Sequence, residues 1–138
     1  MTSQFRVGNA PCSWGVEFAD DLRNPNWSSV LDECAAAGYD GIDLGPFGFL
    51  PEDPDILKDE LDKRNLKLTS GVLFKPFHDS RKKADCFEAA HHTSKTLQAL
   101  GAQQLVIIDS ISPERVNTLG RPNDAPRLKN SDWKGFSN

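Results

Sequence analysis

Four short apolar runs alternate with stretches whose apolar residues recur at helical spacing. The runs are Phe5-Arg6-Val7-Gly8-Asn9-Ala10, Tyr39-Asp40-Gly41-Ile42-Asp43-Leu44, Leu66 through Leu73, and Gln104-Leu105-Val106-Ile107-Ile108-Asp109. Each has the length and residue types of a β-strand. The last is almost unbroken in aliphatic residues, the pattern of a parallel strand covered on both faces. Between the runs, Trp27, Val30, Leu31 and Cys34 fall on one helical face, with Gly38 as a left-handed stop. Asp53 precedes Pro54 as a cap ahead of a first-turn proline, and Leu57 and Leu61 follow at i, i+4. Ala84, Phe87, Ala90, Ser94, Leu97 and Leu100 predict a longer helix closed by Gly101.

Strand, helix and next strand form a βαβ unit, which is right-handed and builds a parallel sheet. The strand starts near 5, 39, 66 and 104 give a repeat of about 33 residues. Eight such units need roughly 260 residues, the size of a (β/α)₈ barrel. The expected fold class is therefore α/β: a parallel (β/α) repeat forming the N-terminal half of a TIM barrel, four β/α units in one partial domain over residues 1–138, with a long loop at 110–131. Ser131 is expected to cap a fifth helix starting Asp132-Trp133-Lys134, and with Asn138 less than two turns later the chain reads as cut. The competing architecture is a small complete doubly wound sheet. Phosphate-binding fingerprints would favour it, but the chain has neither GxGxxG nor GxxxxGK[ST], and Gly45-Pro46-Phe47-Gly48 reads as a turn.

Composition narrows the partners. The 138 residues are 38% hydrophobic, ordinary for a globular domain and too rich for a disordered one. No run approaches the roughly 18 apolar residues of a membrane span, and MTSQFRVGNA does not read as a signal peptide. Residues 1–69 carry 6 basic and 13 acidic side chains, net −7, while 70–138 carry 10 and 7, net +3. The one basic run, Arg81-Lys82-Lys83, fits a solvated helix face better than a nucleic-acid stripe, so neither nucleic acid nor membrane is an expected partner. Cys12, Cys34 and Cys86 form no CxxC pair and are odd in number; free thiols in a reducing cytoplasm are the simplest reading. Cys34 and Cys86 belong to helix faces, and Cys12 lies in a loop.

In parallel α/β sheets the chemistry gathers at the carboxyl ends of the strands. Those ends carry Asn9, Cys12, Ser13 and Trp14, then Asp43 and Gly45, then Lys75, Phe77, His78 and Asp79, then Asp109 and Ser110. Carboxylates, an amide, a lysine, a histidine and aromatic walls suit a polyhydroxylated ligand. Plainer roles stand beside each: Asp43 capping a loop amide, Asp109 starting a turn, His78 and Lys75 in solvent, Trp14 plugging the mouth. Glu88 and His91 make one E-x-x-H spacing, short of the two helices that a di-iron site needs, so His91 and His92 are read as core or surface residues. The loop 110–131 carries Arg115, Arg121, Arg127 and Lys129 against Glu114 and Asp124. It is either a lid presenting guanidinium donors or a proline-stiffened surface excursion.

Asn9-Ala10-Pro11-Cys12-Ser13-Trp14-Gly15, Ala37 through Gly45, and Leu100-Gly101-Ala102 resemble the xylose-isomerase-like TIM barrels, the sugar phosphate isomerases/epimerases. Ile108 through Arg115, with Gly120-Arg121-Pro122 and Ala125-Pro126-Arg127-Leu128, is similar to the loop of their inosose dehydratase-like branch. The resemblance spans about residues 5–136. It implies metal-assisted chemistry beside a carbonyl of a sugar or keto-polyol, in a cytoplasmic protein of carbohydrate metabolism. The family's divalent metal (Mn, Co or Zn) is held by residues of the second half, so no metal ligand and no catalytic residue carries over, and this chain is expected to bind no metal and to be inactive alone. The resemblance does carry over the wall of the pocket, a substrate-binding set of Asn9, Trp14, Asp43, His78 and Asp109, to which Lys75 and Arg121 are added from the strand-end and loop reading. A non-catalytic carbohydrate-binding or interaction protein is the alternative. Open edges at the first and fourth strands make a homodimer the expected assembly.

Overall fold

The computed structural model of the chain describes residues 5–131 and Trp133. Strands and helices alternate in chain order: β1 (Gly8–Asn9), α1 (Trp27–Ala36), β2 (Gly41–Ile42), α2 (Pro54–Asp62), β3 (Lys67–Leu68), β4 (Ser70–Lys75), α3 (Lys83–Leu100), β5 (Gln104–Asp109) and the single turn α4 (Pro113–Val116). β3 and β4 are two parts of the predicted third strand, and β5 is the predicted fourth. All pairings are parallel, with order β1-β2-β3 and β4-β5. The amide of Leu44 donates to the Ser70 carbonyl at 2.8 Å, so the two ladders meet at the start of β4. The result is an open, four-step parallel array, part of a barrel and not closed.

β1 and β2 are shorter than their apolar runs. Pro11 opens a 3₁₀ turn, Pro11–Trp14, that ends β1, and Gly15 closes it in the left-handed region. The helix caps follow the sequence closely. Asn26 accepts from the amide of Ser28 on α1, and Asp53 accepts from the amides of Asp55 and Ile56 on α2. Gly38 and Gly101 take positive φ after α1 and α3.

The core lies between the β1–β3 ladder and the helices α1 and α2. Leu31, Ile42, Leu57 and Leu66 are among its fully buried side chains, each contributing about 1.5–3 kcal/mol through removal from water. Two expectations are corrected. On α3 the buried positions are Cys86, Thr93, Thr96 and Leu97, while Phe87 is exposed beneath the Lys83 ammonium. Thr93 and Leu97 pack where Gly71 of β4 lacks a side chain: a Cβ on Gly71 would stand 2.9 Å from Thr93 Cγ2 and 3.3 Å from Leu97 Cδ2. β5, expected to be covered on both faces, has Val106, Ile107 and Ile108 exposed, since among the described residues no further layer packs on it. Asn130, Ser131 and Trp133 are helical; Asp132 and 134–138, the rest of the anticipated fifth helix, lie outside the described residues.

Strand alternation is broken once. Leu68 faces the core, and Gly71 faces α3, yet two residues separate them. Thr69 and Ser70 both turn to the opposite, inner face, with their hydroxyls 3.3 Å apart. This is the signature of a β-bulge, one extra residue that re-aims the side chains beyond it.

Candidate functional site: a polar groove and a histidine–aspartate pair

The inner face carries an open groove of about 420 Å³ lined by Gly8, Asn9, Ala10, Asp43, Thr69, Ser70 and Gln104. Asp43 is buried and doubly engaged. Its Oδ1 accepts from the Gly45 amide at 2.7 Å and its Oδ2 accepts from the Ser70 hydroxyl at 2.5 Å. The carboxylate therefore both caps the loop and forms the floor of the groove. Asn9 Oδ1 accepts from the Ala10 amide at 2.8 Å and from Ser13 Oγ at 2.7 Å, which aims its NH₂ group away from those partners as a donor. Gln104 completes the set. Sequence reasoning passed over it because it begins a strand; the pairing of Gln104 with Ser70 brings it level with residues from the ends of β1 and β2. The amide pair Gln103-Gln104 heading an aliphatic run was the available signal.

A second cluster sits at the ends of β4 and β5. His78 Nδ1 lies 2.8 Å from Asp109 Oδ2, and the His78 amide donates to Asp109 Oδ1 at 3.2 Å. The carboxylate thus fixes the imidazole and holds the turn after β4 against β5. Lys75 is the cross-strand neighbour of Asp109. By alternation both share the helix-facing side with Gly71 and Leu73, near Cys86, whose thiol is pushed up by burial and drawn back by the Lys75 charge. The groove and the pair therefore occupy opposite sides of the sheet.

Asp79, beside the pair, accepts from the backbone amide and guanidinium of Arg81, and these bonds hold its carboxyl near a pKa of about 2. A depressed carboxyl stabilises the fold above its unfolded value of 3.8 and loses that contribution as pH falls toward about 2. A carbon-detected titration is expected to place the Asp79 midpoint near about 2 and to return it toward the ordinary carboxylate range in Arg81→Gln. An unmoved midpoint would count against the pairing.

The remaining residues of the expected wall lie elsewhere. Trp14 donates its indole N–H to Glu33 Oε2 of α1 at 2.7 Å and packs against the core. Arg121 is tied within its own loop, to the Asn117 carbonyl at 2.7 Å and to Asp124 at 3.3 Å. His91 and His92 are exposed on α3, His92 beside the Phe47 ring. The structure brings Asn9 with Asp43, and His78 with Asp109 and Lys75, and does not join these two groups with Trp14 or Arg121.

Two solved structures share this architecture. One is a xylose isomerase-like TIM barrel/4-hydroxyphenylpyruvate dioxygenase fusion protein, matched over 80% of this chain and 17% of its own, with TM-score 0.60 at 15% identity. The fold is that of part of a TIM barrel. The other is a D-allulose 3-epimerase from Methylomonas sp., matched over 97% of this chain and 47% of the barrel protein, with TM-score 0.51 at 20% identity. In sequence the chain is similar to curated inosose dehydratases. The Serratia proteamaculans protein is 26% identical over 130 residues, and the Clostridium beijerinckii protein is 29% identical over 112. The alignments cover 94% and 77% of this chain but 43% and 35% of those relatives, so the chain spans about two fifths of their length or less. No family model matches it.

The barrel relationship raises the question of a metal. Among the described residues no three His, Cys, Asp or Glu side chains come together as a cage. Asp43 has both oxygens engaged, and His78 and Asp109 are turned to each other. These residues do not fit a metal centre. No described helix is long and apolar enough to cross a membrane.

Proposed function

We propose that this chain forms one wall of the substrate pocket of a sugar isomerase/epimerase-like or inosose dehydratase-like protein, and that the inner-face groove receives a neutral keto-polyol or sugar. The observation that carries the reading is the groove's donor set. Asn9, Thr69, Ser70 and Gln104 offer amides and hydroxyls around one engaged carboxylate, and among the described residues no lysine or arginine lines it. Vicinal hydroxyls need paired donors and acceptors at short range; a phosphate needs cations or a ring of amides. The similarity to inosose dehydratases and the shared fold with a D-allulose 3-epimerase support the same ligand class. In this reading Asn9 and Gln104 contact the hydroxyls and Asp43 positions Ser70. His78, Asp109 and Lys75, on the opposite side of the sheet, brace the strand ends, and Trp14 and Arg121 serve as supports for the neighbouring loops.

The reading is tested by titrating 2-keto-myo-inositol, a free ketose and a sugar phosphate into the ¹⁵N-labelled chain. Saturable amide shifts at Asn9, Ser70 and Gln104 are expected with the neutral ligands at about millimolar affinity, and a loss of about tenfold in Gln104→Ala. Stronger binding of the sugar phosphate, or shifts confined to other residues, would overturn it. Binding without turnover after supplementation with Mn²⁺, Co²⁺ or Zn²⁺ would match the carbohydrate-binding alternative.

A further inference from the structure

Resting on the reading of the groove as a polyol site, we propose that the hydrogen-bond chain Thr69–Ser70–Asp43 fixes the polarity of that groove. Its Thr69–Ser70 side only accepts, so it selects a ligand with a free O–H there and rejects an ether, carbonyl or carboxylate. The direction of the chain follows from counting protons. A carboxylate accepts only, so in the 2.5 Å contact between Ser70 Oγ and Asp43 Oδ2 the proton belongs to Ser70. A hydroxyl has one proton, so Ser70 has none left for Thr69, and in their 3.3 Å contact the Thr69 hydroxyl donates. Both hydroxyls therefore commit their protons within the protein and turn lone pairs to the groove. The bond to Asp43 is short and charge-assisted, the strong kind that a neutral ligand does not reverse.

The other side has the opposite polarity. Asn9 Oδ1 accepts from the Ala10 amide and from Ser13 Oγ, and the Asn9 NH₂ group is what remains for a ligand. Backbone bonds hold donor and acceptors at a set spacing. The Asp43 amide donates to the Asn9 carbonyl at 2.8 Å, and the Leu44 amide donates to the Ser70 carbonyl at 2.8 Å. Asn9 and Ser70 thus stand on either side of the β2 chain, about 10 Å apart along two strand spacings. Gly45 locks the loop that carries Asp43: its φ is 67°, and a Cβ there would stand 2.8 Å from Pro11 Cγ of the turn after β1. The polarity is built in before any ligand arrives. Gln104 offers both a donor and an acceptor and adapts to either. The matching ligand is a neutral ring with a hydroxyl toward Ser70 and, toward Asn9, an oxygen with free lone pairs, a carbonyl or a second hydroxyl. A carboxylate toward Ser70 would meet lone pairs and the Asp43 charge.

The test compares the binding of 2-keto-myo-inositol with that of its monofluoro analogues, in each of which one hydroxyl is replaced by fluorine and has no proton to give. In the wild-type chain one analogue is expected to bind about tenfold more weakly than the parent, the effect of an unmet acceptor. Asp43→Asn reverses the chain, because the new NH₂ donates to Ser70 and frees the Ser70 proton for the ligand. In that variant the same analogue is expected to come within about twofold of the parent. Ser70→Ala removes the acceptor and is expected to close the gap as well, which keeps the test decisive if the asparagine variant folds poorly. A gap that persists in both variants, or a wild type indifferent to every fluorine, overturns the polarity and leaves the polyol reading standing. Failure of 2-keto-myo-inositol itself to bind overturns that reading and the polarity together.

Discussion

Replacing Gly41 with valine is expected to destabilise the chain by about 3 kcal/mol or more, a large part of a domain's usual margin. Gly41 lies in β2, the middle strand of the first ladder, and is buried. A Cβ there would stand 2.6 Å from the Lys67 carbonyl oxygen and 2.6 Å from Thr69 Cγ2. The carbonyl is backbone inside the β2–β3 pairing and cannot rotate away, so the strands would have to separate. Gly8 provides the graded control. Its Cβ would meet Thr69 Cγ2 at 3.1 Å, a methyl on a side chain able to shift, and Gly8→Ala is expected to cost about 1 kcal/mol or less. Thermal melts followed by circular dichroism should show a drop of about 10 °C for Gly41→Val and a small one for Gly8→Ala. Equal midpoints for the two variants would mean that β2 and β3 do not approach as described.

Asp43→Ala is expected to be the second costly change, about 3 kcal/mol in urea unfolding. The substitution strips the acceptor from the buried Gly45 amide and from the Ser70 hydroxyl at once. A buried donor left unpaired loses its water without gaining a partner, and a charged acceptor makes the lost bonds strong. Asp43→Asn separates the roles. Its carbonyl still accepts from Gly45, and the Ser70 hydroxyl can rotate to accept from the new NH₂, so a cost of about 1 kcal/mol is expected. Similar losses for the alanine and asparagine variants would show that the negative charge, and not hydrogen-bond satisfaction, is the property the site requires.

The regular elements were readable where local chemistry decides them. Asp53-Pro54 announces α2, and Gly38 and Gly101 end α1 and α3, because capping and positive φ depend on a few consecutive residues. The face of α3 was not readable. Ranking by hydrophobicity selects Phe87, whereas the residues seated against the glycine of the partner strand are Thr93 and Leu97. The site was legible as a list and not as an arrangement. Asn9, Asp43, His78 and Asp109 all stand at strand ends, but the contact between His78 and Asp109 spans 31 positions, and the removal of Trp14 to Glu33 results from a turn whose direction only three dimensions reveal. Gln104 escaped for a related reason: lateral offset between strands, not position along one, sets its neighbours.

The doubled inward step at Thr69 and Ser70 decides which helix can dock. Along a strict two-residue rhythm from Leu68, Ser70 and Val72 would be presented to α3, and Gly71 and Leu73 would point into the ring. α3 would then meet a hydroxyl and a branched aliphatic in place of the notch that receives Thr93, and Asp43 would lose its hydroxyl donor. A single surplus peptide unit thus keeps the outer seat of a long helix and the floor of the polar groove in phase with each other.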